Sequence, residues 1–261
     1  RRRGVSLVIA LRPYQARLVD DVRHAFRSSR SVLMQLGTGG GKTATASGIL
    51  ATATRRGRRS LFLAHLDSLI EDTHERLVGA GVEAGLVQAG RPTNPSAPVQ
   101  VASLATLHVR GDRPPADLVI VDEAHRAASA SVRGILDAYP SAYLLGLTAT
   151  PQRGDGQPLG GVFEKLVSGP SNKWLTEQGF LVACDVLAPG GYRNGLAADP
   201  VAAYQKHAAA RRAIVFAADK AHARAIVEAF TAAGISADLV VGETTRARRR
   251  ELRERLRDGE L

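Results

Sequence analysis

A glycine-rich stretch, GTGGGKT at positions 37–43, is the first place in this sequence where residue types and spacing could do chemistry. It follows an apolar run at 31–36 and opens a helical pattern at Lys42. Backbone N–H groups of such a turn can surround a phosphate, and the helix N-terminus adds partial positive charge. The strict pattern of a phosphate-binding loop has glycine where Leu36 stands. The stretch therefore predicts a phosphate-binding loop with one departure; the alternative is an ordinary turn between a strand and a helix.

The residues of this loop have distinct expected roles. Lys42 would reach the β- and γ-phosphates of a nucleotide, and the Thr43 hydroxyl would be a ligand of Mg²⁺. The residues expected to bind the nucleotide here are Thr38, Gly39, Gly40, Gly41, Lys42 and Thr43.

Two adjacent carboxylates, Asp122 and Glu123, come at the end of a second apolar run, at 117–122. Ligands of open α/β sheets bind at the carboxyl ends of strands, so we expect this pair near the phosphates. Asp122 would hold the Mg²⁺ shell, and Glu123 would polarise the attacking water as a catalytic residue together with Lys42. The alternative is a helix N-cap with a favourable charge in the first turn. The phosphate loop upstream favours the catalytic interpretation.

Short apolar runs that suit β-strands alternate with helical patterns, which is typical of βαβ units and a parallel sheet. The runs are almost continuously hydrophobic, so helices should cover both faces of the sheet. Strands are predicted at 31–36, 60–65, 99–103, 117–122, 142–148, 213–218 and 237–242. Helices are predicted at 13–29, 42–54, 67–79, 129–138, 171–178, 219–233 and 244–257. The fold class is therefore α/β.

These elements predict two unequal domains. Residues 1–190 would form a complete nucleotide-binding domain, and 191–212 would be a linker in a region with Pro, Gly and Asn and no strong periodicity. Residues 213–261 contain two strand–helix units, too few for an independent sheet. We expect this second domain to dock on the first or to lack its remaining strands in this chain.

Composition indicates a partner and a compartment. The formal net charge is +10 with a pI near 10.4, which favours a polyanion such as nucleic acid. The one cysteine, Cys184, excludes an internal disulfide and fits a reducing compartment; it is predicted to be a small core residue. No apolar run approaches the roughly 18 residues that span a bilayer. A cytoplasmic protein without a membrane partner is expected.

Three stretches in this order, GGGKT (39–43), DEAH (122–125) and LTATP (147–151), resemble motifs I, II and III of superfamily 2 helicases and translocases. The resemblance implies a RecA-like domain with a central parallel sheet, a partial second RecA-like domain, and ATP with Mg²⁺. Motif I of that superfamily tolerates a residue other than glycine at its leading position. The resemblance also implies that His125 couples the carboxylates to Thr148 and Thr150.

The stretch LRPYQ (11–15) resembles the Q-motif of the same superfamily, which implies that Gln15, with Arg12 nearby, binds the adenine edge. A carboxamide pairs a donor with an acceptor, and this suits adenine N6 and N7. The alternative for Gln15 is a solvent-facing residue of a helix.

Residues 60–77 resemble motif Ia, and 99–107 resemble motif Ib. Residues 147–156 and 213–261 resemble the third motif and the motif IV region of the restriction-type (type III restriction subunit, UvsW/XPB-like) DNA helicase branch. The nucleic-acid-binding residues expected from these motifs and from the RGDG continuation are His65, Ser103, Thr106 and Arg153. Small hydroxyl residues typically position phosphates without reading bases. Binding should therefore be largely independent of sequence and sensitive to salt. The branch favours DNA, double-stranded or branched, over RNA.

Two departures from the family pattern affect these expectations. Leu66 stands where the branch often has Arg, and the sequence stops at Leu261, before motifs V and VI. Motif VI supplies an arginine finger worth roughly 10³–10⁵ in rate. We therefore expect these residues to bind ATP and to hydrolyse it weakly. The arginines at 246–257 predict a solvated helix, with nucleic-acid contact as the alternative.

The sequence thus predicts an ATP-dependent helicase or translocase acting on nucleic acid. An ATPase with another cargo, such as RNA or a polypeptide, and a non-catalytic DNA-binding module are the alternatives. Trp174 is predicted to be a core or interdomain anchor, with base stacking on nucleic acid as its alternative.

Overall fold

The computed structural model describes residues 9–91, 94–111, 113–152, 156, 158–187, 192–193, 196–197 and 199–261. The chain divides into two compact units, Arg1–Ala183 and Cys184–Leu261. No helix in these described ranges is long and apolar enough to cross a membrane.

The first unit is built on one parallel sheet of seven strands. The strands are β1 (Ser31–Gln35), β2 (Ser60–Ala64), β3 (Ala84–Val87), β4 (Val99–Ser103), β5 (Leu118–Val121), β6 (Tyr143–Thr148) and β7 (Lys165–Ser168). Their spatial order is β3-β4-β2-β5-β6-β1-β7, and every pairing in this sheet is parallel. The predicted α/β class and central parallel sheet are confirmed.

Helices cover both faces of this sheet. They are α1 (Pro13–Ala25), α2 (Lys42–Arg55), α3 (Asp67–Gly79), α4 (Leu104–Arg110), α5 (Ala130–Leu136) and α6 (Asn172–Glu177), with a 3₁₀ turn at Ala124–Arg126. In β5, Leu118 and Ile120 join the core under α1–α3, whereas Val119 and Val121 join the core under α4 and α5. This alternation explains why the strands are apolar throughout.

Some elements of the first unit differ from the sequence prediction. Strands β3 and β7 were not predicted, because the short β3 is interrupted by Gly85 and β7 is largely exposed at the edge of the sheet. Helix α4 was also not predicted. It begins where the Ser103 hydroxyl accepts a hydrogen bond from the Thr106 N–H, which is a helix cap.

The second unit contains three helices and one short hairpin in its described residues. These are β8 (Tyr192–Arg193) paired antiparallel with β9 (Leu196–Ala197), α7 (Pro200–His207), α8 (Lys220–Ala232) and α9 (Arg246–Asp258). The segment predicted as a linker, 191–212, thus contains a helix.

The two strands predicted in the second unit are not present. Residues 213–218 and 237–242 are described and have no strand pairing. Ile214 and Phe216 are 71% and 88% exposed. A strand needs a neighbour to pair its backbone groups, and the described residues of this unit provide none. The uncovered apolar segments instead line a cavity of about 650 Å³ together with α8 and α9.

Cys184 is also placed differently from the prediction. It is exposed rather than part of the core. Residues 182–187 form no helix or strand, and Val182 and Val186 are exposed as well. An apolar run stays exposed when its residues belong to no helix or strand that buries one of its faces.

Gly146, in the centre of β6, allows a close approach that positions the carboxylate motif. A Cβ atom there would overlap the Phe163 ring and lie 2.8 Å from the Cβ of Ala124, the first residue of the 3₁₀ turn. Tight packing of this kind tolerates no additional methyl group.

We expect Gly146→Ala to lower the free energy of unfolding by about 1–3 kcal/mol, because the methyl group must displace Phe163 or the turn. Urea unfolding followed by circular dichroism measures this change. The matched control is Gly134→Ala in α5, where nothing lies within 4 Å of the added Cβ. That substitution should raise the free energy of unfolding by about 0.5–1 kcal/mol through helix propensity. Equal effects of the two variants would contradict the packing argument.

Candidate nucleotide-binding site

The phosphate loop, the carboxylates and Thr148 all lie at one edge of the sheet. Because all seven strands are parallel, their carboxyl ends lie together at that edge. Strand β1 leads into Gly37, β5 into Asp122, and β6 ends at Thr148. Strand β6 lies between β1 and β5, so motif III separates the phosphate loop from the carboxylates.

The loop after β1 has a conformation that requires glycine. Gly39 and Gly41 have φ of 80° and 86°, the left-handed region that disfavours other residues. A Cβ at Gly37 would overlap Asn172 Oδ1, and one at Gly41 would overlap Gln15 Nε2. The outer side of the loop is therefore packed against protein. Gly39 and Thr38 are exposed, and the N–H groups in the first turn of α2 have no carbonyl partner within that helix, so an anion can bind them.

Leu36 shows why the strict glycine pattern is not needed. Strand β1 ends at Gln35, and the Leu36 N–H donates to the Thr148 carbonyl at 3.0 Å. Its side chain is fully buried and lies 2.8 Å from the position of a Cβ at Gly40. Leu36 therefore fills the space beneath the loop. Above it, the Lys42 ammonium donates to the Leu36 carbonyl at 3.4 Å.

The loop is held from outside by α1. The Tyr14 hydroxyl donates to the Gly40 carbonyl at 2.8 Å, and Gln15 Nε2 donates to the same carbonyl at 3.1 Å. Gln15 Oε1 accepts from the Arg12 N–H at 2.9 Å. Gln15 is only 4% exposed, so the alternative of a solvent-facing residue is wrong. Its amide braces the phosphate loop in this structure.

Asp122 is a buried carboxylate with an unsatisfied oxygen. It is 4% exposed, and among the described residues its Oδ1 has no hydrogen-bond partner. Burial, and then the charge of Glu123, raise the pKa of Asp122 to about 6. Such an oxygen is costly unless a cation or donor reaches it. The donor set of this carboxylate and the Thr43 hydroxyl fits Mg²⁺, which prefers oxygen ligands and commonly keeps phosphate and water in its shell.

Glu123 has a strained backbone beside Asp122. Its φ of 51° places it in the left-handed region, which costs a residue other than glycine roughly 1–3 kcal/mol. Its Oε2 lies 3.2 Å from Nδ1 of His125. The two adjacent carboxylates therefore have different surroundings: Asp122 is buried, whereas Glu123 is partly exposed and contacts His125.

The predicted coupling residues are connected to the loop mainly through motif III. The Thr148 hydroxyl donates to the Thr150 carbonyl at 2.6 Å and lies 3.2 Å from the Thr150 N–H, which can donate to it. The Thr148 carbonyl accepts from Leu36, as described above. The contact that the structure shows for His125 is with Glu123 rather than with these threonines.

The predicted nucleic-acid-binding residues are placed less favourably. Ser103 caps α4, and Thr106 Oγ1 accepts from the Ala89 N–H at 3.3 Å. Both side chains are more than nine-tenths buried, so their hydroxyl groups stabilise the fold and are not presented to a phosphate backbone. Arg153 lies outside the described residues.

His65 belongs to the neighbourhood of the carboxylate motif. Strands β2 and β5 pair in register, and the Asp122 N–H donates to the Leu63 carbonyl at 2.9 Å. Burial, and then the positive charge of Arg126, lower the pKa of His65. Its Nδ1 is buried without a partner among the described residues. His65 thus lies close enough to Arg126 and Glu123 for their charges to act on it, and its contact with nucleic acid stays a prediction.

Two residues of this site were not identified from the sequence. Tyr14 lies inside the LRPYQ stretch, so the stretch itself was the available signal. The Asn172 side chain lies against Gly37, although the two residues are 135 positions apart in the sequence. Asn172 comes shortly after β7 and carries no local signal. Only the parallel pairing of β7 with β1 brings it to the loop.

The sequence of this chain is similar to that of known proteins. The sequence pattern of the family described as "Type III restriction enzyme, res subunit" matches residues 8–153. A 51.5 kDa protein of a Lactococcus phage (isolate 7-9) is 27% identical over 253 residues, covering 88% of this chain and 53% of the relative. A putative ATP-dependent helicase, IRC3, of Saccharomyces cerevisiae is 24% identical over 299 residues, covering 96% of this chain and 43% of the relative. The chain thus spans about half the length of these relatives.

A solved structure shares the fold. It is a nuclease-deletion mutant of the Type ISP restriction-modification enzyme LlaGI in complex with a DNA substrate mimic. The TM-score is 0.52 at 15% identity, over 66% of this chain and 21% of that one.

The family match covers more than half of the 261 residues and includes the Q-like stretch, the phosphate loop, the carboxylates and Thr148. The chain therefore belongs to the Type III restriction enzyme res subunit family, as a helicase-like domain of superfamily 2.

Proposed function

We propose that this chain binds Mg²⁺-ATP at the loop after β1 and hydrolyses it to drive movement along, or remodelling of, DNA. One observation carries this proposal. The glycine-rich loop and the Asp122 carboxylate, whose Oδ1 has no partner among the described residues, occupy the same sheet edge, on either side of a strand that is bonded to the loop. A glycine-rich turn alone, or a buried acid alone, would have an ordinary structural explanation.

The proposed roles of the residues in binding follow from their positions. The N–H groups of Gly39, Gly41, Lys42 and Thr43 would surround the phosphates, and the Lys42 ammonium would leave the Leu36 carbonyl to reach them. The Gly40 N–H instead donates to the Gly37 carbonyl at 3.0 Å and closes the turn. Thr43 and Asp122 would hold Mg²⁺, and Arg12 and Gln15 would bind the base. A bound Mg²⁺ neutralises charge on the phosphates and on the developing transition state.

Glu123 is the residue that we assign to activation of water. Its side chain is 33% exposed to solvent, and its ion-pair contact is with His125 rather than with an arginine or lysine. It can therefore accept a hydrogen bond from a water molecule in front of the γ-phosphate. The strain at Glu123 supports this assignment, since strained backbone clusters at active sites.

Coupling to nucleic acid is proposed to run through motif III. The Leu36–Thr148 hydrogen bond links the loop to the segment that continues through Thr150 towards Arg153. A change in the loop on hydrolysis would move that segment. The charge of +10 supports a polyanionic partner, and the DNA complex of the LlaGI mutant favours DNA over RNA.

Two alternative functions are considered, of which the first uses the same nucleotide site and the second does not use it. An ATPase of this fold could act on RNA or a polypeptide, because fold does not determine cargo. A non-catalytic DNA-binding module would bind DNA without using ATP. ATPase rates measured alone and with duplex DNA, RNA or unfolded polypeptide distinguish these functions, and stimulation by duplex DNA is the result expected here.

Substitutions in the site should separate ATP binding from hydrolysis. We expect Glu123→Gln to bind ATP with nearly unchanged affinity and to lower the hydrolysis rate by roughly 10²–10⁴-fold, the contribution of a general base. Lys42→Ala should weaken binding itself, because it removes a charge from the phosphates. Calorimetry and phosphate release measure the two quantities.

The control is Lys165→Ala, which removes an exposed lysine from the amino end of β7, away from the site edge. It should match the unsubstituted chain in both assays. Hydrolysis that persists in Glu123→Gln at the same rate would exclude Glu123 from the chemistry.

Stability should depend on pH through Asp122. Its pKa in the folded chain is about 6, above the ordinary value of 3.8, so the folded chain binds this proton more tightly than the unfolded chain. Stability from this group therefore falls as pH rises from about 4 to 6 and stays lost above that range. Asp122→Asn should be more stable than the unsubstituted chain at pH 7.5 by up to about 3 kcal/mol, and by much less at pH 4.

Urea unfolding at the two pH values measures this difference. Mg²⁺ with ADP should then stabilise the unsubstituted chain more than Asp122→Asn, because only the former retains the carboxylate. A stability difference that is the same at pH 4 and pH 7.5 would show that Asp122 is not the titrating group.

A further inference from the structure

We propose that the amino-terminal edge of the seven-stranded sheet, opposite the nucleotide site, carries a second nucleic-acid-binding surface whose ligand is single-stranded DNA. The surface consists of Phe26, Arg27, Arg30, Arg58 and Tyr143, here called the amino-edge patch. None of these residues belongs to a stretch that resembles a helicase motif. The inference goes beyond the proposed function, which places nucleic acid near motif III at the carboxyl edge.

The parallel pairing of the strands brings the patch into one row. Ser60 of β2 pairs with Leu118, Leu118 pairs with Tyr143, and the Leu144 N–H donates to the Arg30 carbonyl at 2.8 Å. The row from β2 to β1 crosses β5 and β6, and because neighbouring strands are about 4.8 Å apart it is about 14 Å long. Stacked nucleotides rise about 3.4 Å each, so the row spans about four of them, within the site sizes of proteins that bind single strands.

An exposed aromatic ring lies within this row. Tyr143 is 46% exposed, and its ring meets the Phe26 ring edge to face, with 5.1 Å between the ring centres and 64° between the planes. Phe26 is the C-cap of α1 and packs against the apolar core. The Tyr143 ring is therefore held in place by the protein while much of it remains in water. A nucleotide base can stack on such a ring whatever its sequence.

Arginines lie on both sides of the aromatic pair. Arg27 and Arg30 follow α1 and are exposed, and neither guanidinium has a carboxylate partner among the residues that the structure describes. Nη2 of Arg30 donates to the Ala142 carbonyl at 3.4 Å, which places it beside Tyr143. On the other side, Arg58 is 66% exposed, and its Nη1 lies 3.6 Å from Oδ1 of Asp117. The patch thus combines cations with an aromatic face, the combination that binds single strands.

The usual structural role of basic residues at this edge does not explain all of these arginines. A helix C-terminus favours cations within its last turn, which accounts for Arg55 in α2. Arg30 lies five residues beyond the end of α1, and Arg58 lies three residues beyond the end of α2. A carboxylate of this edge, Glu164, accepts from the backbone N–H of Arg30 at 2.8 Å, so it does not neutralise the guanidinium by a direct contact.

The aromatic ring favours single-stranded DNA over an acidic protein as the partner. The arginines attract either polyanion. A nucleic acid presents an aromatic base with every phosphate, whereas an acidic side chain has no ring to stack on Tyr143. The bases of a single strand are unpaired and free to stack on the protein, unlike those of a duplex.

Another exposed aromatic side chain, Trp174, does not belong to this surface. It is 40% exposed, so the prediction that it is a core residue is wrong. It meets Tyr14 edge to face at 6.2 Å, and the Tyr14 hydroxyl donates to the Gly40 carbonyl at 2.8 Å. Trp174 therefore lies beside the phosphate loop, at the opposite edge of the sheet from Tyr143.

Oligonucleotide binding by the full 261-residue chain tests the patch. Fluorescence anisotropy measures the affinity for a labelled oligothymidylate of about 12 nucleotides, without ATP and at several salt concentrations. Tyr143→Leu should weaken binding about 10-fold, and Tyr143→Phe, which keeps the ring, should bind like the unsubstituted chain. Arg30→Ala should also weaken binding, and it should lower the slope of log K against log salt by about 0.7, the value for one phosphate contact.

Two controls and a crosslink locate the contact. Arg133→Ala removes an exposed arginine from α5, on the other face of the sheet, and should change neither the affinity nor the salt slope. Calorimetric binding of Mg²⁺-ADP should be the same in every variant, which shows that the nucleotide edge is intact. An oligonucleotide that carries 5-bromodeoxyuridine is then irradiated with the chain, and mass spectrometry should identify the crosslinked peptide as the one that contains Tyr143.

The outcomes distinguish this inference from the proposed function. Crosslinks confined to the carboxyl edge, with full affinity in Tyr143→Leu and Arg30→Ala, would overturn the patch and leave the proposed function standing. A loss in Arg30→Ala without a loss in Tyr143→Leu, together with displacement of the oligonucleotide by polyglutamate, would make the patch a surface for acidic polypeptides and exclude single-stranded DNA as its ligand. Normal ADP binding without any oligonucleotide binding would contradict the inference as well. Failure of the unsubstituted chain to bind ADP would count against the proposed function alone.

Discussion

Parallel pairing of β1 with β6 fixes the phosphate loop, because the register continues past the end of β1 into the bond from Leu36 to Thr148. Everything else in the site is placed relative to this bond. Strand β6 pairs with β5 on its other side and so sets the position of Asp122. Gly146 lets the 3₁₀ turn approach β6 closely enough for Glu123 to adopt its conformation. A change in the register of β6 would move both halves of the site together.

Several residues of the site lower the stability of the folded chain, and burial of apolar side chains in the surrounding core compensates for this loss. Asp122 is buried with one oxygen unpartnered, Glu123 has a strained backbone, and the loop needs left-handed glycines. Two continuous apolar cores, one on each face of the sheet, hold these residues in place. Local cost of this kind is typical of binding sites, where a ligand supplies the missing partner.

The sequence predicted the part of the fold that strong local patterns encode. Five apolar strands of the first unit were identified, together with most of the helices between them and with the loop and the carboxylates at their ends. The four-residue strand β5 was predicted because it is apolar throughout. Strands β3 and β7 are equally short and were missed, because β3 is interrupted by Gly85 and β7 is largely exposed. The runs at 213–218 and 237–242 have the composition of strands, but the described second unit provides no neighbour for them.

Side-chain roles were less predictable than their positions, because they depend on what each side chain contacts. Ser103 was expected to contact phosphate and instead caps α4. Gln15 was expected to bind adenine and here also braces Gly40. Neither contact can be read from spacing, since the partners of these groups are set by the backbone around them. Asn172 approaches the loop only through the pairing of β7 with β1.

The central claim is that a nucleotide binds on the loop after β1, and a crystal structure with Mg²⁺ and a non-hydrolysable ATP analogue tests it most directly. Phosphate oxygens should lie within hydrogen-bond distance of the N–H groups of Gly39, Gly41, Lys42 and Thr43, with Mg²⁺ near Thr43 and Asp122. A nucleotide bound elsewhere, for example in the apolar cavity of the second unit, with this loop empty, would contradict the account.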